Sequence, residues 1–493
     1  MSGAPFREEP DAILARLAGL RAHDAPTHGG HILSYVYDPG DDALDELAAA
    51  AIRAMQPVNG LDPTTFGSVA ALERDLIAFA RDLLHGDDEV VGSVTTGGTE
   101  SCLLAVKTAR DVWRAAHPEL AAHGMPRLVA PATVHAAFRK AAHYLDVRLD
   151  VVPVDRDGRV AAAEIEARLG DDVALVVVSA PSYPVAALDP VEAVAAACAA
   201  RGIALHVDAC IGGLVLPFWP GLPTWDFAVP GVTSVSADLH KYGYAPKGAS
   251  VLLQRGRDRQ RAQYFATTRW PGYPVVNPTV LGSKSAGPLA AAWAIVQALG
   301  IDGLAALTDA CRRATDAVRG AIDGIEGLRV VGEPVGPLLA VATDEAVPSE
   351  RRVDPHHWAD AVRSSGWVLQ LQPGLTQADG VRLPPTTHLT ITPVTERGLP
   401  SLLPALVAGA DAVRGVPPVD PAEVLAALPP IEALGAGPLD SETAAGILTA
   451  LGVGGSGAAL PDRQAPLLAL IEAVPPELAE RLLIELLGRL VDP

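Results

Sequence analysis

Between Arg127 and Leu253, short apolar runs alternate with helix-like stretches, and that alternation constrains the fold more than any other feature of the chain. The runs Arg127 to Ala130, Val147 to Val154, Val173 to Ser179, Ile203 to Val207, Ser234 to Ser236 and Ala249 to Leu253 have strand length and β-branched character. Helical stretches such as Glu192 to Arg201 fall between several of them. Strands separated by helices form a mostly parallel sheet covered on both faces, so the fold class is α/β. In such sheets a ligand sits beyond the carboxyl ends of the strands.

The flanks read differently. Asp11 to Arg21 is expected to be a helix with Ile13, Leu14, Leu17 and Leu20 on one apolar face. A Gly/His-containing segment runs from His28 to Tyr35 and Tyr37, then turns at Asp38-Pro39-Gly40 into an Ala/Leu-rich helix over Asp41 to Met55. Around Ile301 a long helix begins, followed by strands near Leu328 to Val331 and Leu338 to Ala342, which together indicate a smaller C-terminal α+β domain. After Val416-Pro417-Pro418 the chain turns Pro/Gly/Ala-rich and ends in a helix with Leu478, Leu482, Leu483, Leu486 and Leu490 on one face. At 493 residues the chain has room for a large domain plus a small one.

Charge and cysteine usage exclude some roles. A net charge of −20 speaks against a general nucleic-acid binder, which needs basic surface to meet phosphates. Cys102, Cys198, Cys210 and Cys311 lack metal-ligand spacing and sit in apolar surroundings, as buried thiols of a reducing compartment do. No metal site is expected. The acidic N-terminus lacks the apolar stretch of a signal peptide, and no uninterrupted apolar run is long enough to span a bilayer, so the expected location is cytoplasmic. His356-His357 reads as a surface pair. Gly452-Val453-Gly454-Gly455-Ser456-Gly457 fits a dinucleotide fingerprint by letters but follows a helix-like stretch, Ala444 to Leu451, instead of a strand, and reads as a linker.

Three short segments carry chemistry. Thr95-Thr96-Gly97-Gly98-Thr99-Glu100-Ser101 precedes the helix-like Cys102 to Arg114; such a turn either simply caps a helix or lets backbone N–H groups approach a phosphate. Asp208 ends one apolar strand, where it either caps the Gly212-Gly213 turn or holds a ligand. His240-Lys241 follows the next strand. The order phosphate loop, acid, lysine suits pyridoxal phosphate, which needs a lysine to hold its aldehyde as an imine and a carboxylate to keep its ring nitrogen protonated. His135, in Thr133-Val134-His135-Ala136, could stack on the pyridine ring.

The runs TTGGTES (95–101), HAAFRKAAHY (135–144), HVDACIGG (206–213) and VTSVSADLHKYGYAPKG (232–248) resemble the sphingosine-1-phosphate lyase branch of the pyridoxal-phosphate-dependent group II decarboxylases. NPTVLGSKSAG (277–287), PPTTHLTIT (384–392) and the helical tail resemble that family too, so the resemblance covers most of the chain. It implies the fold-type I PLP-dependent transferase architecture. On that pattern residues 1–60 form an N-terminal segment and lid, 61–300 a large PLP-binding domain, 301–416 the small C-terminal domain, and 417–493 a linker and helical tail.

The resemblance also implies roles. Lys241 would be the imine lysine, Asp208 the partner of the pyridine nitrogen, and His135 the stacking ring. Gly98, Thr99, His240 and Ser283 would hold the cofactor phosphate, some of them across a homodimer interface. Tyr37 corresponds to a lid tyrosine, Asn59 to an asparagine near the substrate, and Lys247 to a second lysine beyond the imine lysine. Lys241, His240 and Tyr37 are the candidate proton shuttles.

The chain departs from the family on the substrate side. Asp62 stands where the lyases have a histidine that handles substrate phosphate; an acid there would repel phosphate by about 1–4 kcal/mol. The lyases' Pro-His-Gly becomes Pro184-Val185-Ala186, and their Arg-Pro-Gly becomes Lys284-Ser285-Ala286. Two carbon–carbon lyase activities on a small amine or amino-acid substrate therefore stand side by side. One is retro-aldol cleavage at Cα, through an imine with the cofactor, to an aldehyde and a phosphorylated amine. The other is amino-acid decarboxylation.

Overall fold

The computed structural model describes residues 7–422, 440–450 and 463–491. Its centre is a seven-stranded sheet of β1 (Val90–Thr95), β2 (Arg127–Pro131), β3 (Arg148–Val152), β4 (Val173–Ser179), β5 (Ala204–Asp208), β6 (Ser234–Ala237) and β7 (Ser250–Arg255). The spatial order is β1-β7-β6-β5-β4-β2-β3. β7 alone runs against its neighbours; the pairs from β6 to β3 are parallel.

The sequence explains this layout. β4 is buried at every residue, as a central parallel strand covered on both faces must be. Its alternate residues serve two cores: Val176 and Val178 pack with Leu205, Val207 and Val235, while Leu175 and Val177 pack with Phe138 and Val106 on the other face. The Gly98–Ala116 and Ala136–Tyr144 helices cover that second face.

Six of the seven strands follow the predicted runs to within about three residues at each end. β1 was not among them, because Gly92 and Ser93 interrupt its apolar pattern. Gly92 is required there: a Cβ would lie 2.6 Å from Leu253 Cδ2 and 2.9 Å from the Leu252 carbonyl oxygen.

The helix Gly287–Asp323 is kinked at Gly300 (φ 55°) and links two cores. Leu304 and Cys311 belong to the core of the large sheet, whereas Ala314, Val318 and Ile322 pack with Trp358, Leu389 and Leu406. The latter group surrounds a four-stranded sheet that contains the predicted strands as Leu328–Val330 and Leu338–Thr343. Leu33, from the N-terminal segment, also packs there and exchanges backbone hydrogen bonds with Val368 and Thr390.

Several expectations need correction. The first helix forms over Pro10–Arg21, but Ile13, Leu14, Leu17 and Leu20 are all exposed. In the terminal Pro476–Arg489 helix, Leu478, Leu482 and Leu486 pack on Ala444, Ile447 and Leu448, while Leu483 and Leu490 face outward. His356 and His357 are buried, not surface residues: their ring Nε2 atoms pair with the Gln372 and Pro417 carbonyl oxygens at 2.9 and 3.2 Å. Gly287–Asp323 is long and apolar enough to cross a membrane by length and composition. It instead packs along the Asp42–Met55 and Thr395–Val413 helices. The glycine run 452–457 lies outside the described residues, as does part of the segment from 417 onward.

Candidate active site

The topology gathers the three chemistry-bearing segments at one sheet edge. β1, β2, β4, β5 and β6 share a direction, so the residues after Thr95, Pro131, Ser179, Asp208 and Ala237 emerge together. A cavity of about 620 Å³ opens there, and Gly97, Gly98, Thr99, His135, Asp208, His240, Lys241, Lys247 and Tyr37 all contribute to its lining. Eight of the predicted site residues, all of these but Gly97, therefore meet in one place.

The glycine turn is built for close approach. Gly97 has φ +155°, and a Cβ on it would come within 3.2 Å of His240 Cε1. A Cβ on Gly98 would lie 2.6 Å from Asp238 Oδ2 and 2.9 Å from Cys210 Sγ. The Gly98–Ala116 helix starts at this turn, beside the cavity, with no side-chain cap on its first N–H groups, the usual setting for an anion. Glu100 braces the turn by accepting from Thr96 N at 2.7 Å and Val280 N at 2.6 Å.

Asp208 does not cap the glycine turn that follows it. Its Oδ1 accepts from Cys210 N at 3.1 Å, and Ser236 Oγ lies 3.5 Å away. His135 caps the Ala136–Tyr144 helix, its Nδ1 accepting from Ala137 N at 3.2 Å, which fixes the ring at the cavity mouth. His240 Nδ1 accepts from Ala249 N at 3.2 Å, so the proton of the neutral ring is on Nε2, 3.5 Å from Asp238. Burial lowers the His240 pKa and favours that neutral form.

Lys241 Nζ lies 2.8 Å from Asp238 Oδ2. Burial alone would lower the lysine's pKa, but the Asp238 charge outweighs it and holds the value well above the ordinary one. Asp238 itself stays below the usual carboxylate range: burial opposes this, and the Lys241 charge and its hydrogen bond prevail. Lys247 is the reverse case, pushed down to about 8 by burial and by the nearby Lys241 charge. Burial pushes the Tyr37 phenol up to about 12, so it remains a donor at neutral pH.

Asn59, Asp62 and Ser283 are not part of this cavity. Asn59 Nδ2 donates to Ser283 Oγ at 3.4 Å, and the Asn59 backbone pairs with Ser285. The Asp62 carboxylate faces its own turn, accepting from Thr64 Oγ1 and Thr65 Oγ1, each at 2.6 Å; these bonds hold it well below the usual carboxylate range. The expected repulsion of substrate phosphate by Asp62 therefore has no basis within one chain.

Other wall residues were not predicted. Asp238 stands three residues before Lys241 and was legible by position. Tyr35, Tyr183 and Gln370 also line the cavity; the Gln370 amide donates to the Tyr35 hydroxyl and accepts from the Tyr183 hydroxyl. Cys102 Sγ, Cys210 Sγ and an Asp208 oxygen lie within 4.8 Å of one another, a proximity that their spacing in the sequence hides.

The residues present suit pyridoxal phosphate: a glycine cradle at a helix start, a buried acid, a ring and a lysine on one cavity. Comparison with known proteins agrees. Residues 68–340 match the family profile described as "Pyridoxal-dependent decarboxylase conserved domain", and residues 419–489 match "Pyridoxal-dependent enzyme, C-terminal putative HTH domain". A sphingosine-1-phosphate lyase of Dictyostelium discoideum is 37% identical over 62% of this chain and 58% of its own length. One of Oryza sativa subsp. japonica is 32% identical over 77% of this chain and 69% of its own. The solved structure of a Burkholderia pseudomallei sphingosine-1-phosphate lyase superposes with a TM-score of 0.75 at 31% identity, covering 84% of this chain and 93% of that one.

Proposed function

The chain belongs to the pyridoxal-dependent decarboxylase family, and from that premise we propose that it is a carbon–carbon lyase acting at Cα of a small amine substrate. The observation that carries the reading is the convergence of Lys241, Asp208, His135 and the Gly97-Gly98 turn on one cavity. When bound there, pyridoxal phosphate supplies an electron sink for the bond that breaks at Cα.

The chain's own residues divide the remaining work. N–H groups at the start of the Gly98–Ala116 helix and the His240 ring hold the phosphate. The Asp208 carboxylate would keep a proton on the pyridine nitrogen, and His135 would cover the ring. The Lys241 amine would be the group that holds the cofactor aldehyde, and when free it would hold or move a proton at Nζ. Tyr37, protonated at neutral pH, is a hydrogen-bond donor available on the cavity wall.

Within the lyase class we favour retro-aldol cleavage of a phosphorylated amino alcohol, giving an aldehyde and a phosphorylated amine. Lys247 supports this, as a cation on the cavity wall suited to an anionic substrate end. Amino-acid decarboxylation is the second reading, supported by the family match and by Val185 and Ala186 standing in place of the lyases' His-Gly. Incubation with a phosphorylated long-chain base and with an amino-acid panel separates them. Aldehyde with a phosphorylated amine supports the first reading; carbon dioxide without aldehyde overturns it.

A homodimer belongs to the same proposal. Asn59 and Ser283 sit together outside the cavity of their own chain. Nearby, Phe265, Trp270, Tyr273, Val276, Val280 and Leu281 expose apolar surface of the kind a subunit contact covers. A nucleic-acid partner is not proposed: residues 419–489 carry ten acidic side chains against three arginines. A reducing, cytoplasmic setting is supported by the four buried, unbridged cysteines.

A further inference from the structure

We propose that Asp238 is the positioning residue for Lys241: it holds the lysine as an ammonium beneath the Gly97-Gly98 turn and sets the pH at which the free amine becomes available. The proposal rests on Lys241 being the lysine that takes the cofactor.

The geometry is specific. Asp238 follows β6 and is almost fully buried, with 2% of its surface exposed. Its Oδ2 is 2.8 Å from Lys241 Nζ and 3.5 Å from His240 Nε2. Gly98 leaves the room above it, since a Cβ there would overlap both carboxylate oxygens at 2.6 and 2.8 Å. The same missing side chain thus opens the phosphate turn and admits the lysine's counter-ion.

No other group facing Lys241 can replace it. Tyr37 and Tyr183 line the cavity, and burial raises both phenols, so neither is an anion at neutral pH. Cys210, on the cavity wall, is held as a thiol by its hydrogen bond with Cys102 and by burial. His240 is neutral, and Lys247 repels the ammonium. Asp208 and Glu100, the other acids of the cavity lining, are engaged elsewhere: Asp208 by the Cys210 N–H and Ser236, Glu100 by the Thr96 and Val280 N–H groups. Without Asp238, desolvation and Lys247 act on Lys241 unopposed, and both favour the free amine.

The chemical consequence concerns a proton. A lysine attacks a carbonyl only as the free amine, so Asp238 slows cofactor uptake at low pH. Once substrate displaces Lys241, the same carboxylate favours its protonation and keeps that proton at Nζ beside the reacting carbon. The exchange is one proton between solvent and Nζ, with no electron transfer.

Two measurements on the full chain test this. First, cofactor-free protein is mixed with pyridoxal phosphate from pH 6 to 10, and the rate of appearance of the lysine-bound visible band is recorded for wild type and Asp238→Asn. The wild-type midpoint lies above this range, so within it the variant is expected to form the band about tenfold faster or more at a given pH. An unchanged rate with normal circular dichroism overturns the proposal. Second, wild-type protein without cofactor is labelled with an amine-selective reagent and quantified by mass spectrometry. Lys241 is expected to label more slowly at pH 8 to 9 than the exposed Lys140; equal or faster labelling overturns the proposal even where the variant fails to fold. No band in wild type overturns the assignment of Lys241 to the cofactor, and the labelling arm still decides the ion pair.

Discussion

The Lys247 ammonium lies over the Tyr37 ring, its Nζ 4.5 Å from the ring centroid, and donates to the His240 carbonyl at 3.1 Å. A cation held on an aromatic face ties the N-terminal segment to the loop after β6. It also puts a positive charge on the cavity wall that titrates near physiological pH, because burial and the Lys241 charge lower its pKa to about 8.

Lys247 is a base, so its charge is present below about pH 8 and disappears as pH rises through that value. An anionic substrate should therefore show a KM that climbs above pH 8. In Lys247→Gln the KM should be high throughout and lose that pH dependence, at a cost of about 1–3 kcal/mol in binding. Steady-state kinetics from pH 6.5 to 9.5 read both; a KM in the variant equal to wild type would remove Lys247 from substrate binding.

Gly98→Ala should weaken cofactor binding at least tenfold, because its Cβ would press on Asp238 Oδ2 at 2.6 Å and Cys210 Sγ at 2.9 Å. Gly67→Ala is the control, with nothing within 4 Å of the added carbon. Fluorescence titration of the two cofactor-free variants with pyridoxal phosphate compares them, and equal affinities would reject the cradle.

Asp189 is buried, accepts from Ser179 N at 2.7 Å, and is pushed up to about 7 by burial. An acid whose folded pKa lies above its unfolded value stabilises below the unfolded pKa and loses that contribution as pH rises. The window here runs from about 4 to 7. Asp189→Asn, with its side-chain oxygen toward Ser179 N, should remove on the order of a few kcal/mol of that pH dependence. Urea denaturation at pH 5 and pH 8 measures it; parallel curves for variant and wild type would show that Asp189 is ionised throughout.

Much of this site could be read from the sequence because its chemistry is local. Asp208 and Lys241 each follow an apolar strand within a few residues, so the strand pattern alone places both at one sheet edge. Tyr183 carries the same signal just past β4, although it was not predicted, whereas Gln370 gives none; it meets Tyr183 only through the packing of the smaller sheet. His356 and His357 misled because polarity suggests exposure, whereas Asp354 caps their helix and carbonyl oxygens pair their rings. Asn59, Asp62 and Ser283 resemble site residues in sequence but stand away from the cavity, which is where the second subunit enters the account.

In solution the protein should therefore have twice the 51.0 kDa mass of the chain. Light scattering after size exclusion decides this. Trp270→Asp, on the exposed apolar patch at 45% exposure, should shift the mass toward one chain. A wild-type monomer with full activity would contradict the shared site.

The most direct test of the central claim is to fix the cofactor where it binds. Protein loaded with pyridoxal phosphate is reduced with borohydride, digested, and searched by mass spectrometry for the pyridoxyl group. The account predicts a single modified residue, Lys241, and no stable adduct in Lys241→Ala. An adduct on Lys247, or none on the wild-type chain, would contradict it.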